Sequence, residues 1–192
     1  MVTITTKTAT IAEWDDVQKA LTGGGDGASC QCIWPMIPNK EWQASTRDER
    51  KQMLRAEVAA TPSPGIVAYV DGEAAGWVRV GPRPAQQRLG RTRAIAAATQ
   101  EPLDDASVWA VSCFSVRREH RRKGVTTALL DAAVAYAKES GARIIEGYPI
   151  DTSAVKTSSN DLFHGALSTF TNAGFTPDGE LKPGRTLVTF EV

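Results

Sequence analysis

The sequence predicts one domain of the α/β (α+β) class over residues 1–192, with helices covering a central mixed sheet in three layers. Three observations predict it. Residues 108–116, Val-Trp-Ala-Val-Ser-Cys-Phe-Ser-Val, form an apolar run of strand length without clean alternation, the pattern of a central strand covered on both faces. A highly charged turn follows it, and then an Ala- and Leu-rich helix runs from Gly124 to Ser140 with Gly141 as its stop. Earlier, Ile66–Val70 and Ala74–Val80 flank Asp71-Gly72, a two-residue hairpin signal that pairs two strands antiparallel. A strand–turn–helix unit beside a hairpin makes a mixed sheet with helical cover.

The remaining elements follow in order. Val2–Thr6 alternates and reads as a first strand, and Thr10 caps a helix presenting Ile11, Trp14, Val17 and Leu21 on one face. The glycine cluster Gly23–Gly27 ends that helix. No strand precedes it and no Gly-Lys-Ser/Thr follows, so it reads as a flexible connector and not a phosphate loop. Cys30–Pro38, broken by Pro35 and Pro38, reads as an irregular apolar loop anchored on the core by Trp34. A second helix begins at Asn39 or Ser45 and continues through Arg47–Ala60, ended by Pro62 and Pro64. The long connection after Pro82 is basic, then Ala-rich, then acidic. It predicts a short helix plus a mobile segment, either a solvated insertion or a lid. Ile144–Ile150 is a strand, Thr152–Asn160 a polar loop and Leu162–Asn172 a helix. Phe175 and Arg185–Val192 close the sheet around Lys182-Pro-Gly184.

Composition narrows the function. With 22 acidic and 22 basic residues the net charge is zero, which argues against a chain that coats nucleic acid. No apolar run reaches membrane-spanning length, and the first residues lack a signal-peptide pattern, so a cytoplasmic address is expected. Cys30, Cys32 and Cys113 do not make a disulfide framework. No second Cys/His pair stands at metal-ligand spacing, so no metal is expected.

The turn after Val116 carries the chemistry. The first amides of a helix have no intrahelical partner and the helix dipole is positive there, so an anion is stabilised at that end. Arg121, Arg122 and Lys123 bring cationic side chains to the same place, which suits a diphosphate. Within the turn, Arg121-x-x-Gly124-x-Thr126 resembles the pyrophosphate-binding signature of the GNAT superfamily of N-acetyltransferases: Gln or Arg, two residues, Gly, one residue, then Gly or Ala. Thr126 departs from the final small residue. Val116 stands five residues ahead of Arg121 and Leu129-Leu130 follow, as in the family, while Ala166, Phe170 and Gly174-Phe175 resemble its last helix and strand. The resemblance covers residues 65–192 well.

The resemblance implies a GNAT-type fold whose sheet is mostly antiparallel and splayed. It also implies a direct transfer of acetyl from acetyl-CoA, as co-substrate, to a primary amine in a ternary complex. The pantetheine arm would add to the strand at Phe114, Ser115 and Val116. The diphosphate would rest on Arg122, Lys123, Gly124, Val125, Thr126 and Thr127, with Arg121 either joining them or tying the turn together. The acceptor, a small molecule or a peptide amine, is open, with Cys30–Pro38 as one wall of its pocket on the resemblance or simply a core loop, and a homodimer is compatible with the sequence. Two departures bear on proton transfer. The family's usual acid, a Tyr in the last helix, reads Phe170, and the base Glu of its histone-modifying branch reads Ala110. Substitutes are Glu146 as a base raised by burial and Tyr148 as an acid, with Ser112, Cys113 and His164 also in reach. Glu146 could equally pair with Arg143 or Arg121, and Cys113 reads as a buried structural thiol. Absence of both usual proton handlers leaves a second reading: a degenerate domain that binds acetyl-CoA as a sensor without turnover.

Overall fold

A computed structural model describes residues 2–158 and 160–192. Its sheet has seven strands: β1 (Ile4–Thr8), β2 (Gly65–Val70), β3 (Glu73–Pro82), β4 (Val108–Val116), β5 (Ile144–Gly147), β6 (Thr176–Lys182) and β7 (Arg185–Glu191), in spatial order β1-β2-β3-β4-β5-β7-β6. Only β4 and β5 pair in parallel, and every other neighbour is antiparallel. This is the mixed, mostly antiparallel sheet expected from the sequence. The Asp71-Gly72 turn, both residues at positive φ, joins β2 to β3 as the dipeptide predicts.

Both faces of the sheet are covered. Along β2, Ile66, Ala68 and Val70 join one apolar cluster while Val67 and Tyr69 join another, so a nearly continuous apolar strand serves two cores. On the first face lies α7 (Val125–Glu139), whose Val125, Leu129, Leu130, Ala133 and Ala137 are buried against Val78, Trp109 and Val111. Burying each of its two leucines contributes about 1.5–3 kcal/mol. The second face carries α1 (Trp14–Ala20), α2 (Gly27–Cys30), α3 (Asn39–Ala44) and α4 (Arg47–Val58), which pack Val17, Leu21, Leu54 and Val58 on Trp77. Thr46 opens α4 with a reciprocal capping box to Glu49.

Several boundaries differ from expectation. The first strand begins at Ile4, since Thr3 is already tied to the hairpin turn at Asp71. Ile11 belongs to a 3₁₀ turn (Ile11–Glu13) and is half exposed, so the helical face starts at Trp14. The connection after Pro82 is helical along much of its length: a 3₁₀ turn (Arg83–Ala85), α5 (Gln87–Arg91) and α6 (Arg93–Ala98). It packs Leu89 and Ile95 onto Ala110, Tyr148 and Leu187, and is therefore a structural cover and not a mobile lid. The last expected helix is split at Gly165 into a 3₁₀ turn (Asp161–His164) and α8 (Leu167–Asn172). Of the loop expected over Thr152–Asn160, Ser159 lies outside the described residues.

The cover is pinned by an ion pair at its base. Arg83 Nη1 donates to Glu146 Oε1 at 2.5 Å, and both side chains are fully buried. Thr99 Oγ1 donates to the same oxygen at 2.6 Å, Tyr148 Oη donates to Oε2 at 2.8 Å, and Arg83 also reaches the carbonyls of Glu101 and Pro102. Removing one member of a buried pair leaves the other charge uncompensated, at a cost of about 3–5 kcal/mol. Glu146→Gln is therefore expected to lose stability of that order in denaturant unfolding. A full-strength fold with abolished turnover would instead return Glu146 to a catalytic role.

Candidate active site

The site forms where two strands part. β4 and β5 pair only over Val108–Val111 with Ile144–Gly147, and from Ser112 onward β4 has no partner on that side. A register shift on the β3 side, between Arg79 and Val80, leaves Ser112 as the extra residue of a bulge. Across the fork, Ile150 bridges to Ala166 on one flank and to Arg185 on the other. The result is a cleft of about 1430 Å³. That exceeds the 300–1,000 Å³ of an ordinary small-ligand site, and leaves room for a long ligand and a second one beside it.

One end of the cleft is the charged turn. Arg122 (φ 60°) and Gly124 (φ 87°) are left-handed, which curls the chain so that α7 begins with outward-facing amides. The turn is held from outside by Glu73, which accepts from Arg117 at 2.8 Å and from Lys19 at 3.1 Å. These cations, Arg117 first, hold its carboxyl down to about 2. Arg121 both ties and faces the cleft: its Nε donates to the Val116 carbonyl at 3.2 Å while the side chain lines the cavity. Arg122 and Thr126 line it too. Val125 and Thr127 border the small pocket around Gly124. The Val125 side chain is buried in the core, so its amide alone is on offer. Lys123 is exposed and lines neither cavity.

The glycine cluster is more than a connector. The Gly23 carbonyl accepts from the Arg118 amide at 3.1 Å, and Gly24, Gly25 and Gly27 line the cleft opposite the turn. At Gly27 a Cβ would stand 2.6 Å from the Leu21 carbonyl oxygen and 3.0 Å from Ser115 Oγ, so only glycine fits against β4. The Cys30–Pro38 segment also lines the cleft, through Cys30, Cys32, Trp34 and Pro35, with Trp42 edge-on to Trp34 at 5.1 Å. Six cationic side chains border the cavity (Arg118, Arg121, Arg122, Lys156, Lys182, Arg185) against Asp26 and Asp161. A chain of zero net charge thus carries a locally positive cleft, which attracts a polyanion.

The proton-transfer candidates separate sharply. Glu146 and Tyr148 are fully buried in the cluster with Arg83 and Thr99, on the α5–α6 side, and neither lines the cleft. Burial and the Glu146 carboxylate push the Tyr148 hydroxyl well up, so it holds its proton for the carboxylate. The partner of Glu146 is Arg83, not Arg143 or Arg121; Arg143 pairs with Glu101 and Asp105. Phe170 is a core ring packed edge-on to Phe114 and Phe175, and Ala110 offers only its carbonyl, to Gln86 at 2.9 Å. Cys113 Sγ lies 2.8 Å from Cys32 Sγ, and that contact together with burial raises its thiol, against a nucleophilic role.

His164 is the group left at the fork. Its Nδ1 lies 3.1 Å from the carbonyl of Ser112, the bulged residue, and because a carbonyl only accepts, Nδ1 carries the hydrogen. Nε2 is then a free acceptor on a side chain that lines the cleft. Burial first, then the charge of Arg185, holds the imidazole down to about 3, so it is neutral at physiological pH. The sequence singled out His164 without saying which way it faced, since nothing local shows that Gly165 breaks the helix there.

The GNAT acetyltransferase family matches residues 30–156 of the chain, more than half of it. The chain belongs to that family. No curated protein matches it. Among solved structures it is similar to PaiA N-acetyltransferase from Thermoplasma acidophilum, a complex with coenzyme A, at TM-score 0.56 and 14% identity, covering 99% of each chain. The GNAT domain of S. lividans PAT gives TM-score 0.55 and 17% identity over 97% of this chain and 89% of that one. A GCN5-related N-acetyltransferase from Kribbella flavida gives 0.56 and 16%, covering 98% of both. These likenesses establish the fold. In the GNAT member described here, two expected outcomes follow from the geometry.

Gly124→Glu places a carboxylate among the outward amides and should abolish acetyl-CoA binding in calorimetry. Gly124→Ala should bind while costing about 1 kcal/mol, the penalty of a Cβ at positive φ. Unchanged affinity in Gly124→Glu would sink the anion site. The second concerns His164, whose folded pKa is depressed from 6.5 to about 3. Its contribution is full above pH 6.5 and is lost as pH falls toward 3, because the unfolded chain takes up the proton first. The melting temperature of the wild type should therefore fall more steeply than that of His164→Asn between pH 7 and pH 4.5. Parallel falls would mean that His164 is not buried neutral.

Proposed function

We propose that this GNAT protein is an N-acyltransferase that moves an acetyl group from acetyl-CoA directly to a primary amine within a ternary complex. The observation that carries the reading is the fork itself, with a cationic, amide-lined turn at one end and an unprotonated imidazole nitrogen at the other. The amides of residues 122–127, with Arg121, Arg122 and the Thr126 hydroxyl, hold the diphosphate. Backbone groups of Phe114 and the amide of Val116, on the side that β5 leaves open, take the amide-containing pantetheine arm as an added strand, the Val116 carbonyl being held by Arg121. Val116 lies on that arm's path toward Ser112, where His164 closes the fork.

His164, not Glu146 or Tyr148, is assigned to the proton. The amine enters in its neutral form, its ammonium proton having been lost to solvent, and donates a hydrogen bond to His164 Nε2. As the amine nitrogen bonds to the thioester carbonyl carbon, its proton becomes strongly acidic, and an imidazole of low pKa suffices to take it. Collapse breaks the C–S bond, the electron pair leaves on sulfur, and the proton passes from His164 to the thiolate or to water. A thiol has a pKa of about 8.5, so its anion leaves near neutral pH with little acid help. Phe170 in place of a tyrosine is then no bar to turnover, and the sensor reading loses the observation that motivated it. The reaction needs a compartment that holds acetyl-CoA, in keeping with the cytoplasmic address expected from the sequence. No helix among the described residues is long and apolar enough to cross a membrane.

His164→Asn keeps a donor toward the Ser112 carbonyl and removes the acceptor at Nε2. It is expected to lower kcat by about 10²–10⁴-fold while leaving acetyl-CoA affinity unchanged in calorimetry. Full turnover in that variant would remove His164 from the chemistry. Acetyl-CoA binding without thiol release by the wild type over a broad amine panel would restore the sensor reading.

A further inference from the structure

Arg185 is a cation without a counter-charge. It lines the cleft at the start of β7, and its Nε is spent on the Tyr148 carbonyl at 3.2 Å. No carboxylate pairs with it among the described residues, whereas Arg79, Arg83, Arg117 and Arg143 each have one. A half-buried guanidinium loses hydration on folding and regains it only from an anion. With Nε anchored, the two Nη groups remain for a ligand, in the planar fork that carboxylates match.

Its position says which ligand. The diphosphate turn lies at Val116, four residues beyond Ser112 along β4, roughly 13 Å at strand rise. Arg185 stands across the fork from β4: Ile150 bridges to it on one side and to Ala166, two residues past His164, on the other. Imidazole and guanidinium thus approach the fork from the two flanks of one residue. Arg185 is also near enough to His164 to depress its pKa. The same cleft is also lined by Trp34, Pro35, Trp42 and Phe163, which are apolar.

We infer that Arg185 binds a carboxylate on the acceptor, and that the acceptor is a free α-amino acid with an apolar or aromatic side chain. This rests on the acyltransferase reading of the same cleft. An amine at His164 Nε2 and a carboxylate at Arg185, approached from the two flanks of Ile150, suit the two polar groups of one amino acid, and the aromatic lining receives the side chain. The one competing source of a carboxylate is the acyl group, as in a dicarboxylic acyl-CoA.

The test uses thiol release with the twenty amino acids, their carboxamides, and acetyl-CoA or succinyl-CoA as donor. The expected result is acetyl transfer to apolar or aromatic amino acids, with kcat/KM for the free acid exceeding that for the amide. Arg185→Gln should lower the free-acid kcat/KM by roughly 30-fold or more, the scale of a truncated buried charge pair, leave the amide value little changed, and leave calorimetric acetyl-CoA affinity intact. Arg185→Lys should recover part of the preference. Amides that match the acids, or no turnover of any amino acid despite acetyl-CoA binding, would overturn the inference while leaving the cofactor reading in place. A preference for succinyl-CoA that is lost in Arg185→Gln, with acids and amides used equally, would put the carboxylate on the acyl chain and also overturn it. Failure to bind acetyl-CoA at all would overturn the reading beneath.

Discussion

The structure depends on four residue pairs. β4 and β5 hold together from Val108 to Val111 and then diverge, so the central strand of the sheet ends with one edge unpaired inside the protein. Unpaired backbone groups in an interior are costly unless something meets them. Three local features keep the gap from closing. The bulge at Ser112 turns β4, Gly165 at φ 82° breaks the segment beside it, and the imidazole of His164 takes up the bulged carbonyl. A Cβ at Gly165 would stand 2.8 Å from the Phe170 ring, so the same glycine that breaks the helix lets the last helix pack close. What remains is a strand edge suited to a ligand that brings its own amides.

Charge is distributed around this fork with a clear division. Behind it, Arg83 and Glu146 neutralise each other, with Thr99 and Tyr148 filling the remaining hydrogen-bond positions. Such a pair is weak as a source of net stability but strongly resists loss of one partner, so it fixes the α5–α6 cover against β5. In front of it the cations are left open: Arg121 and Arg122 at the turn, Arg185 across the fork. A protein can hold uncompensated charge at a site when a ligand of opposite charge supplies the partner. The overall balance of acidic and basic residues hides this, because the acids that neutralise the total lie elsewhere.

Much of this was legible in the sequence, and the rest was not for identifiable reasons. The central strand, the hairpin and the signature helix rest on patterns within one segment: an apolar run, an Asp-Gly turn, a glycine that starts a helix. The left-handed turn at Gly124 and the tie of Arg121 back to Val116 are likewise local to that segment. Glu146 and Tyr148 were misjudged because a strand alternates its faces, and the sequence does not say which face meets the cleft and which meets α5 and α6. Their partner Arg83 sits in a connection whose packing no periodicity announced. The glycine cluster looked like a connector because its role depends on contact with Arg118 and Ser115, far away in the chain. Contacts between segments, not within them, were the missing information.

The proton-handling role proposed for His164 rests on that geometry. Where the family resemblance looks for a tyrosine at Phe170 and a glutamate at Ala110, this chain has a core ring and a methyl group, each satisfied by its packing. The fork, however, is reached by several elements, and any one that ends there can present a lone pair. His164 does so because its other nitrogen is committed to Ser112, which fixes both the ring and the tautomer. What acyl transfer asks of the base is modest once the thiol leaves easily and the amine enters neutral, so position outweighs basicity. A buried imidazole anchored on the bulge that opens the cleft ties the proton acceptor to the same feature that admits the substrate.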